Sequence, residues 1–413
     1  MASRIYLDHL TTTPLHPEVR AAMEPFAGEQ FGSPASLHQG GVLARDALAQ
    51  ARSEVAALLN ARSPDDILFT AGATEAANLA VKGTAWASHR HGNHIVLTET
   101  EHPAVTRSAE FLESQGFRLS KVPVDRQGFV DPEGVRAALK PETILVCIHH
   151  ASHDLGTIQN LAEVALPAAE QGVPIFVDAS ASGGWVPIDV QSLPISLLSL
   201  APHRFFGPKG VGILYRQRRS RLASLIHGGV QEAGLRAGTE NVPAIVGAGA
   251  AATLAARELE SRAARTSALS RRLREGLVAA APLVKLNGAP PGPQRLPHHL
   301  NLSFEFLEGE GLVLAVDLQG VALHSGPACV SKSTQIPPAL TAIGLSPALA
   351  RASVMLAPGP DQRPEDMDRA VGLIAAAAAK LRDMSPLWEA YQAGHTPSEI
   401  TGRKTGKKNG KTP

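Results

Sequence analysis

Cysteine is nearly absent from this chain of 413 residues, Cys147 and Cys329 being the whole complement. Two thiols exclude a disulfide framework and a cysteine-built zinc module. Aromatic residues make up only 4% of the chain. Lysine is scarce: before residue 402 it occurs only at 82, 121, 140, 209, 285, 332 and 380, while arginine is common. No uninterrupted apolar run approaches the length of a membrane span, and none is expected to cross one. Asp8 and His9 fall where a secretion signal would need apolar residues, so a cytoplasmic protein is expected. The net charge of +1 also argues against bulk nucleic-acid binding. That balance is uneven. Arg403, Lys404, Lys407, Lys408 and Lys411 stand in an acid-free tail, and removing their five charges leaves the preceding residues at −4.

What is present is an alternation of short apolar runs and helical patterns, the spacing of βαβ units. Strands are expected at Ile67–Thr70, His94–Thr98, Phe117–Val124, Ile144–Ile148, Pro174–Asp178, Ile195–Leu200 and Val211–Tyr215. Helices are expected at Leu43–Leu59, Ala162–Gln171 and Ala244–Arg265. The fold class is α/β, a doubly wound and mostly parallel sheet, followed by a smaller α+β unit. In that unit Leu300–Phe304 and Val321–His324 read as strands, Glu310–Leu318 and Pro364–Leu381 as helices, and Gly288–Pro297 as a Pro/Gly loop. The expected boundaries are 1–258 for the large domain with an N-terminal arm at 1–15, 259–395 for the small domain, and 396–413 for a disordered basic tail. Cys147, inside ILVCI, reads as core.

Parallel sheets bind ligands at the carboxyl ends of their strands. Four such ends here carry polar residues. AGATEAANLA follows the first strand, and small residues leading into a helix near Thr74 offer backbone N–H groups to a phosphate, although a plain helix cap has the same look. His102 follows the second strand in ETEHPAV. Asp178 ends the strand before ASASGG, where a buried carboxylate needs a partner such as a cationic ring nitrogen. His203 and Arg204 stand in APHRFFGPKG.

Taken together, the order IYLDHLTTTP, FGSPASLHQGG, GATEAANLA, TEHPAV, VDAS, GPKGVG, GLRAGTENVPAIVG, SGPACVS and SPLWEAY resembles the pyridoxal-phosphate (PLP) fold-type I proteins of aminotransferase class V. Within them it resembles the cysteine desulfurases that supply sulfur for iron–sulfur clusters. The resemblance implies a PLP fold-type I large domain with a smaller C-terminal domain, and a dimer. It implies that Thr74 and His203 contact the cofactor phosphate, His102 the ring face and Asp178 the ring nitrogen. Thr239 in RAGTENV would reach the phosphate of the neighbouring subunit. Cys329, in SGPACVS, occupies the loop that carries the persulfide.

Against this pattern six positions depart. The Schiff-base lysine corresponds to Arg204, whose guanidinium stays protonated and forms no imine with the cofactor. The phosphate-binding serine corresponds to Ala201, and the glutamine on the ring hydroxyl to Ala181. The paired asparagines correspond to Ser152 and His153. The arginine for the substrate carboxylate corresponds to Met355, which forfeits a charge-assisted contact. The resemblance with these departures implies a pseudoenzyme: PLP binding without covalent attachment, and a role as sulfur relay or dimer partner in iron–sulfur cluster assembly. Its partners would be a second copy or an active desulfurase paralogue, together with a scaffold or sulfur-acceptor protein. Two alternatives stand beside it. One is an active PLP-dependent desulfurase or lyase with altered chemistry. The other is a metal or iron–sulfur cluster carrier built from Cys329, His153 and His324, with His149 and Asp154 near by in sequence. Against the carrier stands the plain alternative of histidines satisfied by backbone and water. His298–His299 and the pair His89 and His91 read as surface histidines.

Overall fold

The computed structural model describes residues 4–325 and 336–395. Its strands, in chain order, are β1 Ile5–Tyr6, β2 Ile67–Thr70, β3 His94–Thr98, β4 Arg118–Val122, β5 Thr143–His149, β6 Ile175–Asp178, β7 Leu197–Leu200, β8 Gly212–Arg216, β9 Val284–Leu286, β10 Leu300–Phe304, β11 Val321–Ala322 and β12 Ser353–Leu356. The central sheet has seven strands in the order β2-β8-β7-β6-β5-β3-β4. The sheet is mostly parallel, as expected, with β8 the one reversed strand. Its reversal follows from its connection. Residues 201–211 return from β7 without a crossover helix, and only an antiparallel neighbour can be reached that way.

The strands read as continuous apolar runs because both faces are covered. In β5, Val146 and Ile148 enter one core cluster while Leu145 and Cys147 enter another on the opposite face. Cys147 is fully buried, as its setting predicts. The first face is closed by helices Gln39–Leu58 and Val242–Ala280, the second by Ala73–Ser88 and Pro103–Glu113. The edge strand β4 is shorter than its sequence pattern, and it exposes Arg118 and Lys121, charges that discourage edge-to-edge pairing.

A second core forms around the three-stranded antiparallel sheet β12-β10-β9, with helices Gly309–Asp317 and Pro364–Asp383 packed on it. Helix Val242–Ala280 serves both cores. It contributes Ile245, Ala248 and Ala252 to the first, and Leu269, Leu273 and Leu277, spaced by four, to the second. It therefore runs well past the expected end at Arg265. This helix is long and apolar enough to cross a membrane by length and composition alone, yet 56% of its most apolar stretch is buried. It is a core helix in this fold. The segment expected as Ala162–Gln171 is two short helices, Leu161–Val164 and Leu166–Glu170, with Pro167 opening the second.

Candidate functional site

The carboxyl ends of β2, β3, β6 and β7 meet in a cleft of about 310 Å³, lined by Thr74, His102, Asp178, His203 and Arg204. Each residue is brought there by a local structural reason. Thr74 sits in the first turn of helix Ala73–Ser88, whose N-terminus presents backbone N–H groups and the positive end of its dipole. Gly212 at the start of β8 passes so close to this turn that a Cβ would lie 2.1 Å from the Gly72 carbonyl carbon, so no larger residue fits.

His102 is the N-cap of helix Pro103–Glu113, and its Nδ1 accepts from the Ala104 N–H at 3.1 Å. A neutral ring thus carries its proton on Nε2. Burial pushes its pKa down, and Arg204 adds to that against the opposing pull of Asp178 and Glu101. Asp178 ends β6 in the interior and accepts from the Ser180 N–H and the Ser199 hydroxyl, both at 2.9 Å. Burial works against its ionisation, but His102 and the Ser180 and Ser199 hydrogen bonds prevail and hold the carboxyl below its usual range. The site therefore keeps a fixed buried anion facing a neutral imidazole.

The segment carrying His203 and Arg204 is a single 3-10 turn, Pro202–Arg204, clamped by the N-terminal arm. The Thr13 hydroxyl donates to the His203 carbonyl at 3.0 Å and accepts from the Phe206 N–H at 2.6 Å. From behind, the Trp185 indole N–H donates to the Arg204 carbonyl at 2.8 Å. Burial and the neighbouring Arg204 and Lys209 push His203 down to about 4, so it is neutral at pH 7. Lys209 lies on the exposed rim of the same cleft.

Deeper in, the space narrows to a recess of about 20 Å³ bordered by His102, His153, Asp154, Asp178, Ala181 and Arg204. That volume holds about one water. The Arg204 guanidinium reaches the His153 Nδ1 at 3.3 Å. Burial, reinforced by Arg204, keeps His153 well below the ordinary histidine range, which leaves Nδ1 free to accept. The Ser152 hydroxyl accepts from the Leu155 N–H at 3.2 Å, closing its own loop rather than facing the cleft. Asp154 is pushed up to about 6 by burial, with His149 and Arg204 pulling the other way. Beside the recess, Leu10, Ala151, Ala181, Leu296, Met355 and Ala357 form one apolar cluster.

The expected site residues are thus unevenly placed. Thr74, His102, Asp178, His203 and Arg204 line one cleft. Thr239 is exposed on the surface and does not line it. Cys329 lies outside the described residues, as does the basic tail. His153 lines the recess, whereas His324 bridges to Met355 on β12 and is coupled electrostatically to Asp8. Among the described residues no group of three or more His, Cys, Asp or Glu is arranged to hold a metal ion. His89 and His91 are exposed, as expected.

One sequence expectation is corrected. His298 and His299 are not surface residues but are 1% and 0% exposed. His298 stacks on Trp185 with ring centroids 3.7 Å apart, and the His299 Nε2 donates to the His153 carbonyl at 2.8 Å. They are buried because the Pro/Gly loop before them folds back onto residues 156–158, with the Leu296 N–H donating to the Gly156 carbonyl at 2.8 Å and the Ile158 N–H to that of Gln294 at 2.9 Å. Gly156, at φ +74°, is needed there, since a Cβ would stand 2.6 Å from the His299 ring. The flanking Leu296 and Leu300 were the available signal. Arg262 was also missed: it is buried between the two cores, donates to the Gly184 carbonyl at 3.2 Å and lies 5.6 Å over the Trp185 ring.

Comparison with known proteins agrees with this geometry. Residues 5–362 match the family model for aminotransferase class-V. The chain is 40% identical to a cysteine desulfurase IscS of Dictyoglomus turgidum over 386 residues, covering 94% of this chain and 97% of that one. It is 43% identical to a cysteine desulfurase IscS of Anaeromyxobacter dehalogenans over 393 residues, covering 94% and 96%. Among solved structures, a NifS-like protein superposes with a TM-score of 0.86 at 31% identity, covering 92% of this chain and all of that one. The strand-end cleft, the doubly wound sheet and these similarities lead to one conclusion: the chain belongs to the aminotransferase class-V family.

Proposed function

We propose that this chain is a cysteine desulfurase-like protein that no longer desulfurates free cysteine by the PLP-dependent route. Its role would be in sulfur transfer or iron–sulfur cluster assembly, as a sulfur relay or dimer partner. The observation that carries this reading is the packing of the inner recess. Ala181 and Met355, distant in sequence, pack in one apolar cluster, and the adjoining space beside Arg204 has room for about one water. A substrate carboxylate placed there would meet methyl and thioether groups instead of a guanidinium fork.

The residues of the outer cleft fit the ring and phosphate of PLP, whereas position 204 does not fit its covalent attachment. Asp178 would face the ring nitrogen and His102 the ring face. Thr74, the N–H groups of its helix and His203 would hold the phosphate, with Thr239 serving the neighbouring subunit. Bound there, PLP would supply a ring that withdraws electrons from a substrate carbon. Arg204 brings no deprotonated amine to that carbon, because a guanidinium holds its protons at neutral pH. The remaining chemical group would be Cys329. Its thiolate would take the outer sulfur of a donor persulfide and release the donor's thiolate, with no net change of oxidation state.

A second reading, altered PLP chemistry run from Lys209, rests on the presence of that amine on the cleft rim. Borohydride reduction in the presence of PLP followed by peptide mass mapping tests both readings. The pseudoenzyme reading expects no reduced adduct on Lys209 or any other cleft lysine. A stoichiometric adduct at Lys209 would favour the second reading and overturn the first.

A further inference from the structure

At the opposite end of the central sheet lies a larger cleft of about 620 Å³ that the strand-end site does not use. It opens where β6 and β7 begin and where β8, running the other way, ends. Its wall on one side is the loop after β8, whose sequence RQRRSR at 216–221 places four arginines in six residues. Arg219 and Arg221 line the cleft, and no acidic residue does. Among the described residues, neither of them has a carboxylate partner. Arg216 and Arg218, by contrast, lie in the field of Asp66.

The arginine loop is held in place rather than merely exposed. The Gln217 N–H donates to the Ser196 carbonyl at 2.8 Å and the Ser220 hydroxyl to the same carbonyl at 3.2 Å. Farther along, the Ala223 N–H donates to the Gly83 carbonyl at 2.9 Å, and a Cβ on Gly83 would crowd the Ala223 carbonyl oxygen at 2.8 Å. Gly83 therefore lets the loop seat against helix Ala73–Ser88. Thr84 lines the cleft, is 2% exposed, and its buried hydroxyl has no hydrogen-bond partner. A buried hydroxyl left unpaired is costly, and a helical threonine ordinarily turns it to the preceding turn of backbone. The hydroxyl is itself fully covered, so Thr84 borders the cleft as packing. The lining also includes the apolar residues Val173, Leu193 and Pro194.

We infer that this cleft binds an organic phosphate of nucleotide size. Arg219 and Arg221 take the phosphate, and the apolar lining residues take the organic body. The arginine fork matches phosphate oxygens, and the cleft volume lies in the range of small-molecule sites. The site stands apart from the proposed PLP cleft, being built on the amino ends of strands whose carboxyl ends form the other.

The test is titration calorimetry of the full chain with ATP, AMP, inorganic phosphate and a single-stranded oligoribonucleotide, each with and without excess PLP. The inference expects nucleotide binding that PLP does not displace, with inorganic phosphate and the oligonucleotide at least tenfold weaker. The double variant R219A/R221A should weaken nucleotide binding by tenfold or more. Competition by PLP would place the nucleotide in the other cleft and overturn the inference. So would no nucleotide binding, tighter binding of the oligonucleotide, phosphate binding as tight as ATP, or full affinity in the double variant.

Discussion

The outer cleft and the inner recess share His102, Asp178 and Arg204 on their walls, yet they have different chemistry. In the outer cleft the polar groups are individually supported: Asp178 by Ser180 and Ser199, His102 as a helix cap, and His203 by the clamped arm. In the inner recess the positions proposed to face a substrate are packing. Ala181 and Met355 sit in an apolar cluster, and Arg204 turns to His153. Retaining a phosphate cradle needs only a helix N-terminus and a few fixed donors. Retaining catalysis needs a primary amine and a carboxylate clamp at particular atoms. The two halves can therefore diverge independently, and the difference separates binding from turnover.

The sharpest way to break the comparison is M355R. Met355 is 2% exposed in an apolar cluster, so an arginine there would be a buried charge without a partner. The expected loss of stability is about 3–5 kcal/mol in a urea titration. A loss below about 1 kcal/mol would mean that the recess still accepts a guanidinium, and the contrast would fail.

Asp154 offers the next largest effect. Its pKa is raised by burial from 3.8 to about 6, so the folded state holds its proton more tightly than the unfolded chain. That contribution is fully present below pH 3.8 and is lost as pH rises through about 6. Relative to wild type, D154N should therefore be about 2–3 kcal/mol more stable at pH 8 than at pH 4. Denaturant midpoints at the two pH values measure this, and a difference near zero would contradict the buried setting of the recess.

In the outer half, D178N removes the buried carboxylate while keeping an acceptor for Ser180 and Ser199. PLP affinity should fall about tenfold, the equivalent of roughly 1.4 kcal/mol, by fluorescence titration. Unchanged affinity would show that the outer cleft does not hold the ring as proposed. The smallest energetic change is expected for R204K, within about 1 kcal/mol of wild-type stability. Its chemical change should be large: a borohydride-trapped PLP adduct at position 204 that wild type lacks.

Much of this contrast was legible in the sequence because it lies at strand ends. A short apolar run followed by Asp178, His102 or His203 marks the site without knowledge of packing, and the parallel sheet brings those ends together. The apolar cluster was not legible. Leu10, Ala151, Ala181, Leu296 and the pair Met355 and Ala357 come from five separated segments, and no local pattern links them. His298 and His299 were misread for a related reason, since a polar pair beside a Pro/Gly loop looks exposed until the loop folds back. The far half of helix Val242–Ala280 escaped because charged residues interrupt it, although Leu269, Leu273 and Leu277 keep one buried stripe.

The central claim is loss of turnover with retention of binding, and the most direct measurement is product release from cysteine. Purified protein loaded with PLP would be incubated with L-cysteine and a reductant, and alanine and sulfide measured against a protein-free PLP control. The account predicts no release above the control. Alanine and sulfide formed in equal amounts over many turnovers would contradict it, whatever residue proved to carry the chemistry.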